Sequence, residues 1–177
     1  MFTRRGDAGE TDTGDRGRVI KSSPIIEVEG RIDELNSFIG LALVGCQWND
    51  IMDDLKRIQD DLFTIGEEFT TKGTRRTLQP ERLTWLEERT LELKKETGKI
   101  KLFIIPGGSE IASLLHIVRT QSRNLERLVV SYKLILKPSP LMLQFLNRLS
   151  SLFFVQAVVA NKRLGIEERI WEIRREI

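Results

Sequence analysis

The sequence predicts an all-α protein, a five-helix bundle preceded by a glycine-rich N-terminal loop. Apolar residues recur at three-, four- and seven-residue spacing in five successive segments. No stretch alternates apolar and polar residues with the period of two that marks a half-buried strand. The segments are joined by short runs carrying Gly or Pro, which makes consecutive helices antiparallel neighbours. With 177 residues the chain has room for about one ordinary domain. Residues 1–177 therefore read as a single helical-bundle domain, with the loop over 1–23, the bundle over 24–162 and a C-terminal tail over 163–177.

Residues 1–23 hold Gly6, Gly9, Gly14 and Gly17 among alternating charges and show neither period. Pro24 opens the first helix, PIIEVEGRIDELNSFIGLALVG, whose Ile25, Ile32, Leu35, Ile39 and Leu43 share a face. The second, NDIMDDLKRIQDDLFTIGEEFTT, aligns Ile51, Leu55, Ile58, Leu62 and Ile65, has acidic residues near its start where they suit the helix dipole, and ends before Gly73. Pro80 opens the third, PERLTWLEERTLELKKET, with Leu83, Leu86, Thr90 and Leu93 on one face and Gly98 as its stop. A short apolar run, KLFIIPGG, leads to Ser109, an N-cap for EIASLLHIVRTQSRNLERLVVSYKLIL. This fourth helix is expected to run about 27 residues, or about 40 Å, until Pro138 and Pro140 stop it. The fifth, LMLQFLNRLSSLFFVQAVVANKRLG, is apolar on most sides and reads as the most buried. The tail, IEERIWEIRREI, reads as a short amphipathic helix.

Composition narrows the function. Lys and Arg total 28 against 26 Asp and Glu, a net charge of +2, too even for a surface that binds nucleic acid. A charged fraction of 31% beside 40% apolar residues supports a closed core rather than disorder. One cysteine forms no internal disulfide, and one Cys with one His does not make a zinc site. The start, MFTRRGDAGE, has no apolar stretch resembling a signal core, and the apolar run from Leu152 to Ala160 falls far short of the roughly 20 residues that span a bilayer. The expectation is a cytoplasmic protein with no membrane partner.

The chemistry is sought among polar groups on faces that the pattern puts inside. His116, Arg119, Arg123 and Arg127 lie along one face of the fourth helix. Three adjacent guanidinium groups repel each other unless an anion lies against them: Glu126, carboxylates of another helix or subunit, or a phosphate chain. Spacing alone is equally compatible with a solvated or salt-bridged face. Asn147 and Arg148 interrupt the fifth helix, and Asp33, Glu34 and Asn36 stand beside Gly30 in the first. An unsatisfied buried amide costs about 1 to 3 kcal/mol, so these groups need partners, which a bundle-internal hydrogen bond or a subunit ion pair also supplies. His116 alone reads as a packed histidine and Cys46 as a small core residue. The run T-R-R-G-D-A-G-E-T has the glycines and donors of a phosphate cradle, but neither G-x-x-x-x-G-K-[ST] nor G-x-G-x-x-G occurs. Taken by itself it is a flexible tail.

In order, T-R-R-G-D-A-G-E-T (Thr3 to Thr11), Lys21, E-G-R-I-D-E-L-N-S (Glu29 to Ser37), F-I-I-P-G-G (Phe103 to Gly108), H-I-V-R-T-Q-S-R-N-L-E-R (His116 to Arg127) and N-R-L-S (Asn147 to Ser150) resemble the ATP:cob(I)alamin adenosyltransferases of the PduO type. Each motif is weak alone; six in the right order span nearly the whole chain. The resemblance implies a cobalamin adenosyltransferase-like five-helix bundle, assembled as a homotrimer with active sites between subunits. It implies transfer of the 5′-deoxyadenosyl group of ATP to the cobalt of reduced cobalamin, with release of triphosphate. ATP and cob(I)alamin are then substrates, and Mg²⁺ is held mainly by the ATP phosphates rather than by a protein metal site. A reductase, or an adenosylcobalamin-dependent enzyme that takes the product, becomes an expected partner.

The resemblance also implies residue roles. Thr3, Arg4, Arg5, Gly6, Thr11, Asp12 and Lys21 would wrap ATP, with the tail ordering as nucleotide binds. The segment Arg123, Asn124, Leu125, Glu126 and Arg127, together with Asn147, would complete the ATP site, and Arg123 would stabilise charge on the leaving triphosphate. Asp33 and Arg119 would form a salt bridge across the subunit interface beside the corrin. Phe103 would press on the lower corrin face and disfavour a lower axial ligand, easing reduction of Co(II) to Co(I). Arg123, Arg119, Asp33 and Phe103 are thus the expected catalytic group, the last three also binding cobalamin. Three positions depart from the family pattern: Phe2 stands for a Tyr, Asn124 for an Arg and Ser151 for an Asp. Asn124 and Ser151 motivate the alternative of an ATP-sensing or cobalamin-carrying protein of the same fold with weak or no turnover. A ferritin-like di-metal bundle is excluded, because the sole His116 has Ser113 three residues before it instead of Glu.

Overall fold

The computed structural model describes residues 2, 4–14, 17–71, 73–74, 76–100 and 103–171. A hairpin of β1 (Glu10–Thr13) and β2 (Gly17–Ile20) precedes α1 (Pro24–Gly45), α2 (Asn49–Thr70) and α3 (Pro80–Thr97). Strand β3 (Phe103–Ile104) leads into α4 (Glu110–Ser131), the single turn α5 (Lys133–Leu136), α6 (Pro140–Arg163) and β4 (Ile170–Trp171). Proline opens α1, α3 and α6 at the position where its missing N–H costs nothing, and Ser109 and Ser139 cap α4 and α6 through their hydroxyls. The expected stripe of α2 is core, with Ile51, Leu55, Ile58, Leu62 and Ile65 all fully buried, while Leu43 of α1 and Leu83 and Thr90 of α3 are half-buried at the edges of theirs. Helix α6 is the central element, packed on α3 and α4, with α4 also against α1 and α1 against α2. By length and composition α6 could cross a membrane, but 67% of its apolar window is buried within the bundle.

Charged residues lock this packing. Arg89 of α3 donates to Asp54 of α2 at 2.8 Å, and Gln156 of α6 donates to the same carboxylate at 3.1 Å. Arg82 grips Asp61 with two bonds of 2.8 and 2.7 Å, and Arg163 joins Asp50 to Glu96. Burial pushes Asp54 and Asp61 above the usual carboxylate range despite these arginines.

Three expectations are corrected. Part of the N-terminal segment read as a loop is an antiparallel hairpin, in register Glu10↔Ile20 to Thr13↔Gly17. Its strands are too short and polar to show a period; what shapes it is backbone pairing, with Gly9 and Gly17 at φ of 81° and 80° where a side chain would be strained. The fourth helix stops at Ser131, because Tyr132 leaves helical geometry and α5 ends on Lys137 in the left-handed region ahead of Pro138. Leu134 and Ile135 of α5 are exposed, so no core face carries the helix onward. The tail is not helical over its described part. Gly165, at φ 68°, ends α6, and the chain then runs without regular structure until β4 pairs with β3, Phe103↔Trp171 and Ile104↔Ile170. Residues 172–177 of the expected tail helix lie outside the described residues.

Candidate active site

The N-terminal hairpin gathers the first group of expected site residues. Lys21 donates through Nζ to the Gly6 carbonyl at 2.9 Å, and its backbone N–H reaches Gly9 at 2.9 Å. Arg18 donates to the Arg5 carbonyl at 2.7 Å, while Arg5 pairs with Asp12 at 3.1 Å. A Cβ on Gly6 would lie 3.0 Å from the Lys21 nitrogen, and one on Gly14 would lie 3.1 Å from the Thr70 carbonyl, so the hairpin sits closely on the end of α2. Arg4 adopts φ 59°, a left-handed conformation costing a non-glycine residue of order 1 kcal/mol. Arg4, Arg5, Gly6, Thr11, Asp12 and Lys21 thus belong to one folded unit, and Thr3 lies outside the described residues. Arg18 and Lys21 tie the loop to the strands.

The second group lies on α4 and α6. Arg119 donates from Nε to His116 Nδ1 at 3.3 Å. His116 is 3% exposed, and burial, aided by the Arg119 charge, lowers its pKa to about 4, so the imidazole is neutral near pH 7. Its Nε2 is buried and unpartnered among the described residues. Burial, then the neighbouring Arg123 charge, also lowers Arg119. Arg119 and Arg123 line a cavity of about 520 Å³ between α3, α4 and α6, with Lys94 as a third cation and Phe154 and Ser151 on its wall. No carboxylate among the described residues lines it. This is a place for an anion against an apolar wall.

Beside it, Asn147 donates to Glu126 at 2.7 Å, linking α6 to α4, and Arg127 donates to Asn124 at 2.5 Å. Asn124 also donates to Gln121 at 3.1 Å. Arg148 is paired with Glu87 of α3. Leu125, in the same segment, has its side chain fully buried in the core.

Asp33 is elsewhere. It lines a groove of about 940 Å³ between α1 and α2, together with Glu29, Asp60 and Glu67. Within one chain Asp33 and Arg119 form no ion pair; they open into separate cavities. At the groove floor Asn36 is 6% exposed, and both its amide atoms lack partners among the described residues. Phe103 on β3 is 70% exposed and forms an apolar ledge with Ile105, Pro106 and Trp171. Sequence reasoning missed Lys94 and Phe154, which periodicity marks only as a solvated lysine and a core aromatic. It also missed Trp171, which joins the site only through the β3–β4 pairing.

Comparison with known proteins places this arrangement. The family model described as cobalamin adenosyltransferase matches residues 1–160. The corrinoid adenosyltransferase of Bacillus subtilis is 40% identical over 178 residues, covering 97% of this chain and 92% of the relative. The cobalamin adenosyltransferase of Cupriavidus metallidurans is 38% identical, covering 99% and 96%. A phenylalanine-to-alanine variant of the PduO-type ATP:corrinoid adenosyltransferase from Lactobacillus reuteri, complexed with cobalamin and ATP, superposes with a TM-score of 0.91 at 28% identity, covering 97% of this chain and 99% of that one.

Proposed function

This chain belongs to the cobalamin adenosyltransferase family, and from that premise we propose how its residues share the work of alkylating cobalt. The chain transfers the 5′-deoxyadenosyl group of ATP to the cobalt of cob(I)alamin. The electron pair of Co(I) forms a bond to the 5′ carbon, the bond from that carbon to the triphosphate oxygen breaks, and triphosphate leaves with its electron pair. No proton transfer is needed. Catalysis is then positioning of the two substrates, exclusion of water and neutralisation of the leaving charge.

In our reading the hairpin residues Thr3, Arg4, Arg5, Gly6, Thr11, Asp12 and Lys21 bind ATP, with Asn147, Glu126 and Arg127 completing the nucleotide site. Arg123 meets the charge that grows on the triphosphate. Mg²⁺ enters with the nucleotide, because no carboxylate among the described residues lines the Arg119 cavity to hold a metal. Phe103 presses on the corrin face, and the neutral His116 leaves the full charge of Arg119 directed outward. The reaction belongs in a reducing cytoplasm, where a reductase supplies Co(I) and an adenosylcobalamin-dependent enzyme consumes the product.

The observation that carries the assembly is the division of charge. One face of the chain carries Lys94, Arg119 and Arg123 without a lining carboxylate, and another carries the acidic groove of Glu29, Asp33, Asp60 and Glu67. These faces complement each other between copies, as in a closed ring such as a homotrimer, where Asp33 of one subunit would meet Arg119 of the next. The test of the activity is anaerobic: the protein with ATP, Mg²⁺ and chemically reduced cobalamin should form a light-sensitive cobalt–carbon bond. ATP and cobalamin binding without any such bond would favour a carrier or sensor instead.

A further inference from the structure

We propose that Asn161, near the C-terminal end of α6, is a positioning residue for Phe103, acting through residues 105–109 and the strand β4. The proposal rests on the reading of Phe103 as the residue that presses on the corrin. Phe103 and Trp171 are 70% and 59% exposed, so burial does not hold them where they are. The backbone does, and Asn161 organises it.

Asn161 is fully buried, and both ends of its amide are used twice. Its Oδ1 accepts from the Ser109 N–H at 2.8 Å and from the Ser109 hydroxyl at 2.9 Å. Its Nδ2 donates to the Gly107 carbonyl at 3.0 Å and to the Glu168 carboxylate at 3.1 Å. Gly108 lies flat against this amide: it has φ 97°, and a Cβ there would be 2.4 Å from the Asn161 nitrogen. One side chain thus fastens both the segment following Phe103 and the tail leaving α6. The tail closes the arrangement from the other side, since Ile105 donates to the Arg169 carbonyl at 2.8 Å and β4 pairs with β3. Phe103 is therefore held between a buried amide and a strand that the same amide anchors through Glu168. A satisfied buried network of this kind favours one arrangement, and breaking it leaves unpaired groups that force the loop to move. Displacement of about 1 Å is enough to spoil a catalytic geometry.

The test uses the full chain in Asn161→Ala, Glu168→Ala and Phe103→Ala forms. Hydrogen exchange reads the Ile105 and Ser109 amides, and electron paramagnetic resonance of cob(II)alamin with ATP reads the fraction that has lost its lower axial ligand. Asn161→Ala should speed exchange at these amides about tenfold or more and lower the ligand-free fraction toward that of Phe103→Ala, with KM for ATP within about twofold of the parent. Glu168→Ala, which removes one bond outside the bundle, should produce the same changes in smaller degree, and serves alone if Asn161→Ala does not fold. Parental exchange in every folded variant would overturn the clamp. Faster exchange with a parental cobalt spectrum, while Phe103→Ala alters that spectrum, would make Asn161 a structural residue only and overturn the proposal. A parental spectrum in Phe103→Ala would overturn it at its root, by removing the role assigned to Phe103.

Discussion

His116 shows how one buried side chain links stability to function. Its folded pKa, about 4, lies below the ordinary histidine value of about 6.5, so the unfolded chain binds a proton first as pH falls. The stabilisation is complete above pH 6.5 and is lost as pH falls toward 4. At ~1.4 kcal/mol per unit, a separation of about 2.5 units makes the full loss of order 3 kcal/mol. Denaturant unfolding of the parent and of His116→Phe between pH 7 and 4.5 should show a stability that declines for the parent and is flatter for the variant; parallel curves would contradict the assignment. Arg123 makes the opposite case. It is exposed, so Arg123→Ala should leave the melting temperature within a few degrees while lowering kcat about 100-fold or more, as steady-state kinetics would report. The arginine stripe was legible in the sequence because helical period repeats it. Asn161 was not, because a single asparagine gives no pattern and two of its partners, Ser109 and Gly107, are more than fifty residues away.

At the scale of elements, the long helices were legible and the small strands were not. Burial writes a period into α2, whereas the two-residue pairing of β3 with β4 leaves no trace in either segment. The hairpin was hidden for a related reason: its glycines serve turns, and its charges pair across strands, Arg18 with Glu10 at 3.1 Å. Its seat on α2 makes a prediction. Gly14→Val would force atoms against the Thr70 carbonyl, 3.1 Å from a Cβ, and should unseat the hairpin. KM for ATP should rise about tenfold or more with the helical content unchanged, measured by kinetics and circular dichroism. The helices themselves are joined by ions. Asp54, 5% exposed, serves Arg89 and Gln156 together, so Asp54→Ala should cost about 1 to 3 kcal/mol in chemical denaturation, because the buried Gln156 amide loses its partner while Arg89 keeps Asp50 and Glu92.

For the whole molecule, what matters is that its two charged faces do not meet. The near-balance of 28 basic and 26 acidic residues hides an uneven distribution: cations around Arg119 and Arg123, carboxylates around Asp33. Composition could not expose this, because charge totals carry no position. The proposed site between copies would bring together Asp33 of one chain and Arg119 of the next, which stand in separate cavities of one chain. The measurement that tests this directly is complementation between Asp33→Ala and Arg119→Ala, each expected to be nearly inactive alone. Co-expressed in equal amounts, they would place an intact Asp33 opposite an intact Arg119 at about a quarter of the interfaces, since each site draws one residue from each of two neighbours. The account predicts adenosylcobalamin formation at about a quarter of the parental rate in the mixture, and a mixture no more active than either variant alone would contradict it.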